Sequence, residues 1–372
     1  MTNRRFADTS DAVRGVRTWR LTPTLPLPWR PGVDRLHIVV TEITTTDGRV
    51  GTGFTWTVTR GAGAIEATIR DDLIPYATGQ RVTALSWERM AAHLREVGSG
   101  GVVALALAGL DLALWDLAGQ LAETSVAQLL GATTDVCPAY SSGINWHYST
   151  DQLIAQVQRW VDAGAESVKV KVGPPRTTAE DHDRLRAVRR VLGPERRLMI
   201  DANQRWSSHE ASAAIDRLQE LDLAWVEEPL DADDLEGYRN LCSRVAVPVA
   251  AGENLSRVAE FEAAIAAGVA IVQPNVCRIG GITPFLRVAE LARSAGARIA
   301  PHLLPEVSAQ LAVALGDTCV EVPDGARFCD LGVLDHQPPI TVEGASVVVH
   351  STPGLGLRFR PPAPSDQPGD SP

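Results

Sequence analysis

The sequence predicts an α/β protein in which a (β/α) barrel follows an N-terminal α+β domain. From Val136 onward, short apolar segments that end in polar residues alternate with amphipathic helical segments at nearly even spacing. Before that point strand-like segments come first and helical segments follow, as in an α+β unit. We predict residues 1–132 as the N-terminal domain and residues 133–335 as the barrel. Residues 336–372 are predicted to return to the N-terminal domain and to end in a disordered, Pro-rich tail.

The composition excludes several classes of partner. Of the 372 residues, 35 are basic and 45 acidic, and the net charge of −10 argues against nucleic acid or an anionic membrane. Five widely spaced cysteines without a CxxC pair are typical of reduced thiols in a cytoplasmic protein. The most apolar stretch, residues 101–121, contains Asp111 and Asp116, which predicts a buried helix and not a membrane span.

The N-terminal domain is predicted to begin with a small antiparallel sheet. Asp47-Gly48 is a turn signal between two alternating runs, and a Pro-rich loop at residues 22–33 carries Trp29 and Arg30. Helical patterning then runs from Ala64 to about Leu130. The predicted strands are Val16–Leu21, Leu36–Thr45 and Val50–Val58.

The barrel is predicted from eight strand candidates and the helices between them. The predicted strands are Val136–Tyr140, Ser167–Val172, Arg197–Asp201, Ala224–Glu227, Val247–Ala251, Ile271–Pro274, Arg298–Pro301 and Cys319–Val322. The predicted helices include Thr150–Ala163, Thr178–Val191, Ser208–Leu221, Ser256–Ala267 and Thr283–Ala295.

Two lysines lie on the second of these strands. In a strand, Lys169 and Lys171 share one face, with Cα atoms roughly 6.5–7 Å apart. If that face is enclosed, each ammonium disfavours the charge of the other, and desolvation adds to the effect. A lysine in this position is suited to act as a general base. The alternative is an edge strand with a solvated cationic face.

Carboxylates end the three strands that follow. Barrel active sites lie at the C-terminal ends of the strands, where Asp201, Glu227 or Glu228, and Glu253 stand at equal spacing. Three converging carboxylates repel one another unless a cation joins them, and hard oxygen ligands suit Mg²⁺. Glu227 and Glu228 face opposite ways on a strand, so only one of them can be a ligand. Other polar residues near the strand ends are Asn203, Asn275, His302 and Glu321.

These motifs resemble the enolase superfamily in its mandelate racemase-like subgroup, from about Val16 to Phe359. Residues 106–119 resemble the helix that closes the family's N-terminal capping domain. The resemblance implies a (β/α)7β modified TIM barrel with an α+β capping domain. The motifs that carry it are Lys169-Val170-Lys171, Ile200-Asp201-Ala202-Asn203, Trp225-Val226-Glu227-Glu228-Pro229, Gly252-Glu253-Asn254, Ile279-Gly280-Gly281-Ile282-Thr283 and His302.

The resemblance also implies roles for individual residues. The metal ligands fall on Asp201, Glu227 and Glu253, which together hold one Mg²⁺ per subunit. Lys171 is the base on one face of the substrate, and Lys169 binds and polarises the substrate carboxylate.

Other roles follow from the same resemblance. His302 is the acid or base on the other face. Asn203 contacts the substrate near the metal, and Glu321 hydrogen-bonds the enediolate. The capping loop around Trp29 and Arg30 covers the site and selects substrates, and homo-oligomers are expected.

Asn275 departs from the family pattern. The subgroup usually has an aspartate at this position, which pairs with the histidine. An asparagine oxygen still accepts the Nδ1 proton of His302, but it offers no full charge to an imidazolium. His302 is therefore expected to be a weaker base than usual, which argues against racemisation by two bases.

We therefore predict a Mg²⁺-dependent enzyme that removes the α-proton of a small-molecule carboxylate through an enediolate. The expected reaction is dehydration of an acid sugar, with Lys171 as base and His302 as the acid that protonates the departing hydroxyl. One alternative is a racemase or epimerase of a small hydroxy or amino acid. The other is a metal-binding barrel without catalytic activity.

Overall fold

The computed structural model describes residues 11–30, 32–316 and 318–361. In these residues a three-stranded antiparallel sheet with its helices precedes a barrel, which confirms the predicted α/β fold. All five cysteines are free thiols, as predicted. The tail predicted to be disordered lies, after Pro361, outside the described residues.

The N-terminal domain, here called the cap, begins with the predicted sheet. Its strands pair in the order β1-β2-β3, and Gly48 adopts a φ of 92° in the turn between the last two. The strands are β1 (Val13–Leu21), β2 (His37–Thr45) and β3 (Val50–Thr57). The helices are α1 (Ala62–Ala67), a π-helical turn (Thr68–Leu73), α2 (Ile74–Ala77), α3 (Trp87–His93), α4 (Val102–Leu121) and α5 (Val126–Leu129), with 3₁₀ turns at Val82–Ala84 and Arg95–Val97.

The barrel contains all eight predicted strands. They are β4 (Val136–Ser142), β5 (Ser167–Lys171), β6 (Arg197–Asp201), β7 (Leu223–Glu227), β8 (Val249–Ala251), β9 (Ile271–Val272), β10 (Arg298–Ile299) and β11 (Val320–Pro323). Strands β4 to β10 pair with their sequence neighbours in parallel, and β11 returns to pair with β4. This order is that of a (β/α)7β barrel.

Seven helices connect these strands in the described part of the chain. They are α6 (Thr150–Asp162), α7 (Thr178–Leu192), α8 (Ser208–Leu218), α9 (Leu235–Cys242), α10 (Val258–Ala266), α11 (Ile282–Ala295) and α12 (Pro305–Leu315), with a 3₁₀ turn at Gln219–Leu221. Helices α6, α7 and α8 each begin with a capping box, in which a hydroxyl and a Gln or Glu side chain satisfy two backbone N–H groups. The caps fix where each helix starts and therefore hold the loops at the strand ends.

The C-terminal segment contacts both domains. A hairpin of β12 (Ile340–Glu343) and β13 (Ser346–Val349) adds to the barrel sheet, because β13 pairs antiparallel with β4. The chain then reaches the cap, where the backbone N–H of Leu355 donates to Asp116 at 2.6 Å.

Helix α4 is the predicted apolar helix. By length and composition alone it is able to cross a membrane, but 89% of its most apolar window is buried inside the protein. Its Asp111 accepts hydrogen bonds from the N–H and the hydroxyl of Thr283 on α11, at 2.9 and 2.6 Å. Its Asp116 accepts the N–H of Thr52 at 2.8 Å, and burial raises the pKa of this carboxyl to about 7. The two acids thus fasten α4 to the barrel and to its own sheet.

The cap sheet lies close against α4 at two glycines of β3. A Cβ on Gly53 would meet the backbone of Gly109 and Ala113 on α4, and backbone atoms have little freedom to move away. Gly15 on β1 has open space at the same atom and an ordinary φ, so it is a matched position for comparison.

We predict that Gly53→Ala destabilises the cap by about 1–3 kcal/mol, the usual cost of overpacking a core. Urea unfolding followed by circular dichroism should show a lower midpoint for this variant. Gly15→Ala should change the stability by no more than about 0.5 kcal/mol. Equal midpoints for the two variants would contradict the close packing of β3 on α4.

Candidate active site

Three acids converge at the C-terminal ends of neighbouring strands. Asp201 ends β6, Glu227 ends β7, and Glu253 follows β8. One oxygen of each lies within 4.8 Å of the others. Asp201 and Glu227 are fully buried, so water screens little of their mutual repulsion.

A different basic side chain contacts each of these acids. Lys171 Nζ donates to Asp201, and Lys169 Nζ donates to Glu227 at 2.5 Å. The Nε2 atom of His302 lies 3.1 Å from a Glu253 oxygen. The sequence-based expectation that both lysines face one enclosed space therefore agrees with the structure.

The charge state of the lysines differs from the prediction. Burial alone lowers the pKa of Lys171, as expected, but the Asp201 carboxylate outweighs burial and raises it. For Lys169, Glu227 and Glu321 outweigh burial in the same way and raise its pKa well above the ordinary value. The prediction considered burial and the repulsion between the two ammonium groups, but not the acids on other strands with which both lysines are paired.

The two lysines are also exceptional in composition. Lys169 and Lys171 are the only lysines among the 35 lysine and arginine residues of the chain, and all the others are arginines. Arginine serves for fixed charges and ion pairs, but it is not deprotonated in proteins. The retention of lysine at these two positions indicates chemistry that needs an amine able to lose its proton. The restriction of lysine to these two positions was visible in the sequence, but the sequence-based prediction did not use it.

Asn203 and Glu321 lie beside the acids and the lysines. Asn203 donates to Asp201 through its backbone N–H at 2.8 Å and its side-chain amide at 3.4 Å. Glu321 lies 2.9 Å from Lys169, which outweighs burial and lowers the pKa of this carboxyl to about 2. The predicted hydrogen bond to an enediolate would require a protonated Glu321, whereas the contact with Lys169 favours the ionised form.

The side-chain amide of Asn275 is oriented opposite to the prediction, with its nitrogen and not its oxygen beside the ring of His302. Its amide oxygen accepts the backbone N–H groups of Cys277 and Arg278 at 3.1 and 3.2 Å. The amide nitrogen must therefore face the ring, and it lies 3.1 Å from Nδ1. Nδ1 acts as the acceptor, so a neutral ring carries its proton on Nε2. Burial lowers the pKa of His302, in agreement with a neutral ring.

The loop with Trp29 and Arg30 lies where the cap meets the barrel. Trp29 packs edge-on against Trp56, with ring centroids 6.0 Å apart. Both rings line a cavity of about 20 Å³ together with Leu303, the residue after His302. Arg30 is exposed. The structure thus places the predicted capping loop next to the strand end that carries His302.

Several contacts were missed by the sequence reasoning. Gln273 and Trp225 donate to the same Glu227 oxygen, at 2.6 and 3.3 Å. Gln273 precedes Asn275 by two positions, and this alternation is the signal that it also faces inward. Glu228 turns away to accept hydrogen bonds from Gln204 and Asn254 on neighbouring loops.

The residues fit a hard divalent cation. The three acids supply carboxylate oxygens only, which is the donor set that Mg²⁺ prefers. The Glu253 oxygen nearest His302 is buried and receives no aligned hydrogen bond, so it is available to a cation. Asp201, Glu227 and Glu253 are therefore the residues that would hold the metal.

Comparison with known proteins agrees with this architecture. Residues 22–131 match the mandelate racemase / muconate lactonizing enzyme N-terminal domain, and residues 152–363 match the enolase C-terminal domain-like family. L-talarate/galactarate dehydratase of Salmonella typhimurium is 37% identical over 285 residues, which cover 74% of this chain and 70% of the relative. A 3,6-anhydro-alpha-L-galactonate cycloisomerase of Streptomyces coelicolor is 34% identical and covers 75% of this chain and 79% of the relative.

A solved structure extends the match to nearly the whole chain. L-talarate dehydratase from Polaromonas sp., crystallised with Mg and L-glucarate, superposes with a TM-score of 0.84 at 33% identity and covers 94% of this chain and 96% of that one. The chain therefore belongs to the mandelate racemase / muconate lactonizing enzyme family of the enolase superfamily.

Proposed function

We propose that the chain is a Mg²⁺-dependent dehydratase of sugar acids. The observation that carries the proposal is the enclosed pair of lysines beside three convergent carboxylates, with His302 on the far side of the same acids. The dehydratase relatives, one of them crystallised with Mg and a sugar acid, support the same reaction. The substrate is a small-molecule carboxylate with a hydroxyl on the β-carbon.

Lys171 is the group that removes the α-proton. When bound, Mg²⁺ supplies positive charge that offsets the acids and the enediolate formed by proton loss. Once the charge of Asp201 is offset, burial and the neighbouring Lys169 both disfavour the ammonium form of Lys171. The amine of Lys171 then accepts the proton at Nζ. Lys169, held between Glu227 and Glu321, donates to the substrate carboxylate.

His302 assists departure of the β-hydroxyl from the opposite side. Its Nε2 carries the proton and is the ring nitrogen that lies near Glu253. A neutral imidazole acts as a hydrogen-bond donor that polarises an oxygen, as in other enzymes with a neutral histidine. The departing hydroxide takes up a proton from solvent and Lys171 later releases the α-proton to solvent, so that one water is lost overall. The enol product tautomerises to a 2-keto-3-deoxy acid.

We predict that the purified protein with Mg²⁺ converts a member of a sugar-acid library to a keto acid, detected as its semicarbazone. Lys171→Ala should abolish both turnover and α-proton exchange in D₂O, because the other amine at that face, Lys169, is held between Glu227 and Glu321 and binds the substrate carboxylate. Arg186→Met, on the outer face of α7, is the control and should leave turnover unchanged. Deuterium entering recovered substrate with inversion and without loss of water would favour a racemase instead.

We predict that Glu227→Gln weakens Mg²⁺ binding more than Glu228→Gln does. Glu227 belongs to the convergent set, whereas Glu228 is bonded to Gln204 and Asn254. The expected loss for Glu227→Gln is about tenfold or more in affinity, measured by calorimetry. Thermal melting of both variants separates loss of metal from loss of fold. Equal affinity losses at equal stability would exclude Glu227 as the ligand of the pair.

We predict that Asn275→Asp opens a second route of proton exchange. The backbone N–H groups of Cys277 and Arg278 hold one carboxylate oxygen, and the other accepts a hydrogen bond from Nδ1–H of His302. The neutral ring then carries its proton on Nδ1 and its lone pair on Nε2, so Nε2 becomes a base. NMR in D₂O with both α-epimers of a substrate should show one exchanging epimer for the natural protein and two for the variant. Equal exchange of both epimers by the natural protein would contradict this account.

A further inference from the structure

A second cationic position lies at the mouth of the barrel, apart from the two lysines. Arg205 follows Asn203 and Gln204, whose φ angles of 43° and 61° are uncommon for residues with a side chain. These left-handed residues fold the loop after β6 back across the strand ends. Backbone strain of this kind is kept where a loop must hold a side chain in place.

The guanidinium of Arg205 is held by two neighbouring loops. It lies over the ring of Trp146, which follows β4, and it donates to the carbonyl of Pro174, which follows β5, at 2.6 Å. The ends of β4, β5 and β6 are adjacent in the barrel, and β5 carries Lys171. Arg205 is thus fixed beside the catalytic end of the barrel, on the side of the base.

The charge of Arg205 has no local acid to balance it. Among the described residues it makes no ion pair, whereas its neighbour Arg176 is paired with Asp181 at 2.6 Å. Burial and the charges of Arg176 and Arg30 lower the pKa of Arg205 to about 10, which Asp201 offsets only in part. Half-buried positive charge without a partner is unfavourable unless a ligand supplies the negative charge.

The cap adds a second cation in the same region. Arg30 acts electrostatically on Arg205, although the two lie on different domains. Its side chain is exposed and forms no ion pair within the part of the chain that the structure describes. Arg30 is thus a second guanidinium that is near enough to Arg205 to act on its charge and that has no ion pair among the described residues.

The inner site does not need these charges. Asp201, Glu227, Glu253 and Glu321 are offset by the two lysines and by the divalent cation that the acids fit. In the proposed reaction the enediolate forms at that inner position. The outer arginines therefore match a second anion at the far end of the substrate, and a guanidinium binds a carboxylate with two parallel hydrogen bonds.

We propose that Arg205 binds the distal carboxylate of a dicarboxylic sugar acid, so that the enzyme prefers aldarates to aldonates. This inference rests on the proposed dehydratase function and names its substrate class.

The test compares pairs of acids that differ only at C6, namely galactarate with galactonate and glucarate with gluconate. In the natural protein, kcat/KM for the accepted aldarate should exceed that for its aldonate by about tenfold to hundredfold, the range of a charged hydrogen bond. Arg205→Met keeps an apolar contact with Trp146 and should reduce this preference, mainly by raising KM for the aldarate. Arg205→Lys should restore part of it, and Arg186→Met should leave it unchanged.

Calorimetry separates this inference from the proposed reaction. In Mg²⁺-loaded Lys171→Ala, which does not turn over, an aldarate should bind more tightly than its aldonate, and adding Arg205→Met should remove the difference. This result supports the inference even if dehydration is never observed. Dehydration of aldonates in preference to aldarates would keep the proposed function and overturn the inference. Equal loss for both acids in Arg205→Met, or no aldarate binding at all, would also overturn it.

Discussion

The structure of the site depends on like charges held close together in a buried place. Asp201, Glu227 and Glu253 converge within 4.8 Å because three neighbouring strands end at the same edge of the barrel. Lys171 and Lys169 offset the charges of Asp201 and Glu227, whereas the neutral ring of His302 lies beside Glu253. Removing one partner of a buried ion pair costs about 3–5 kcal/mol, since the remaining charge is left uncompensated. The two lysines and the acids are therefore not independent, because each sets the charge of its neighbour.

The balance of charges in the site depends on the exclusion of water, and the cap covers the site. Asp111 of α4 fixes the cap to Thr283, and Trp115 donates to the same hydroxyl at 3.0 Å. Gly281 lies against Asp111 with a φ of 119°, so the Gly-Gly-Ile-Thr motif serves as the docking point of the cap. The rings of Trp29 and Trp56 lie beside Leu303, the residue after His302. Exclusion of water strengthens every electrostatic contact beneath them.

The fold was predictable, and the charge states were not. Alternation and turn signals located all eight barrel strands within a few residues, because inward and outward positions leave a pattern in the sequence. Strand β12 and helices α9 and α12 were not among the predicted elements. Helix α12 is buried nearly all round, so it has no polar face to reveal its period. The raised pKa of Lys171 depends on contact with Asp201 from another strand, and the position of Arg205 depends on left-handed loop residues. Neither contact leaves a local pattern, although the restriction of lysine to two positions was visible.

The lysine face and the histidine face of the site differ because of the side-chain amide of Asn275. Two backbone N–H groups occupy the oxygen of Asn275, so its nitrogen faces His302 and fixes the ring proton on Nε2. A ring in this state has no lone pair on Nε2, so in the proposed reaction only the lysine face removes a proton. Racemisation needs a base on both faces, whereas elimination needs a base on one face and a hydrogen-bond donor on the other. The substitution that departs from the family pattern therefore favours elimination over racemisation, without any change in the metal ligands or the lysines.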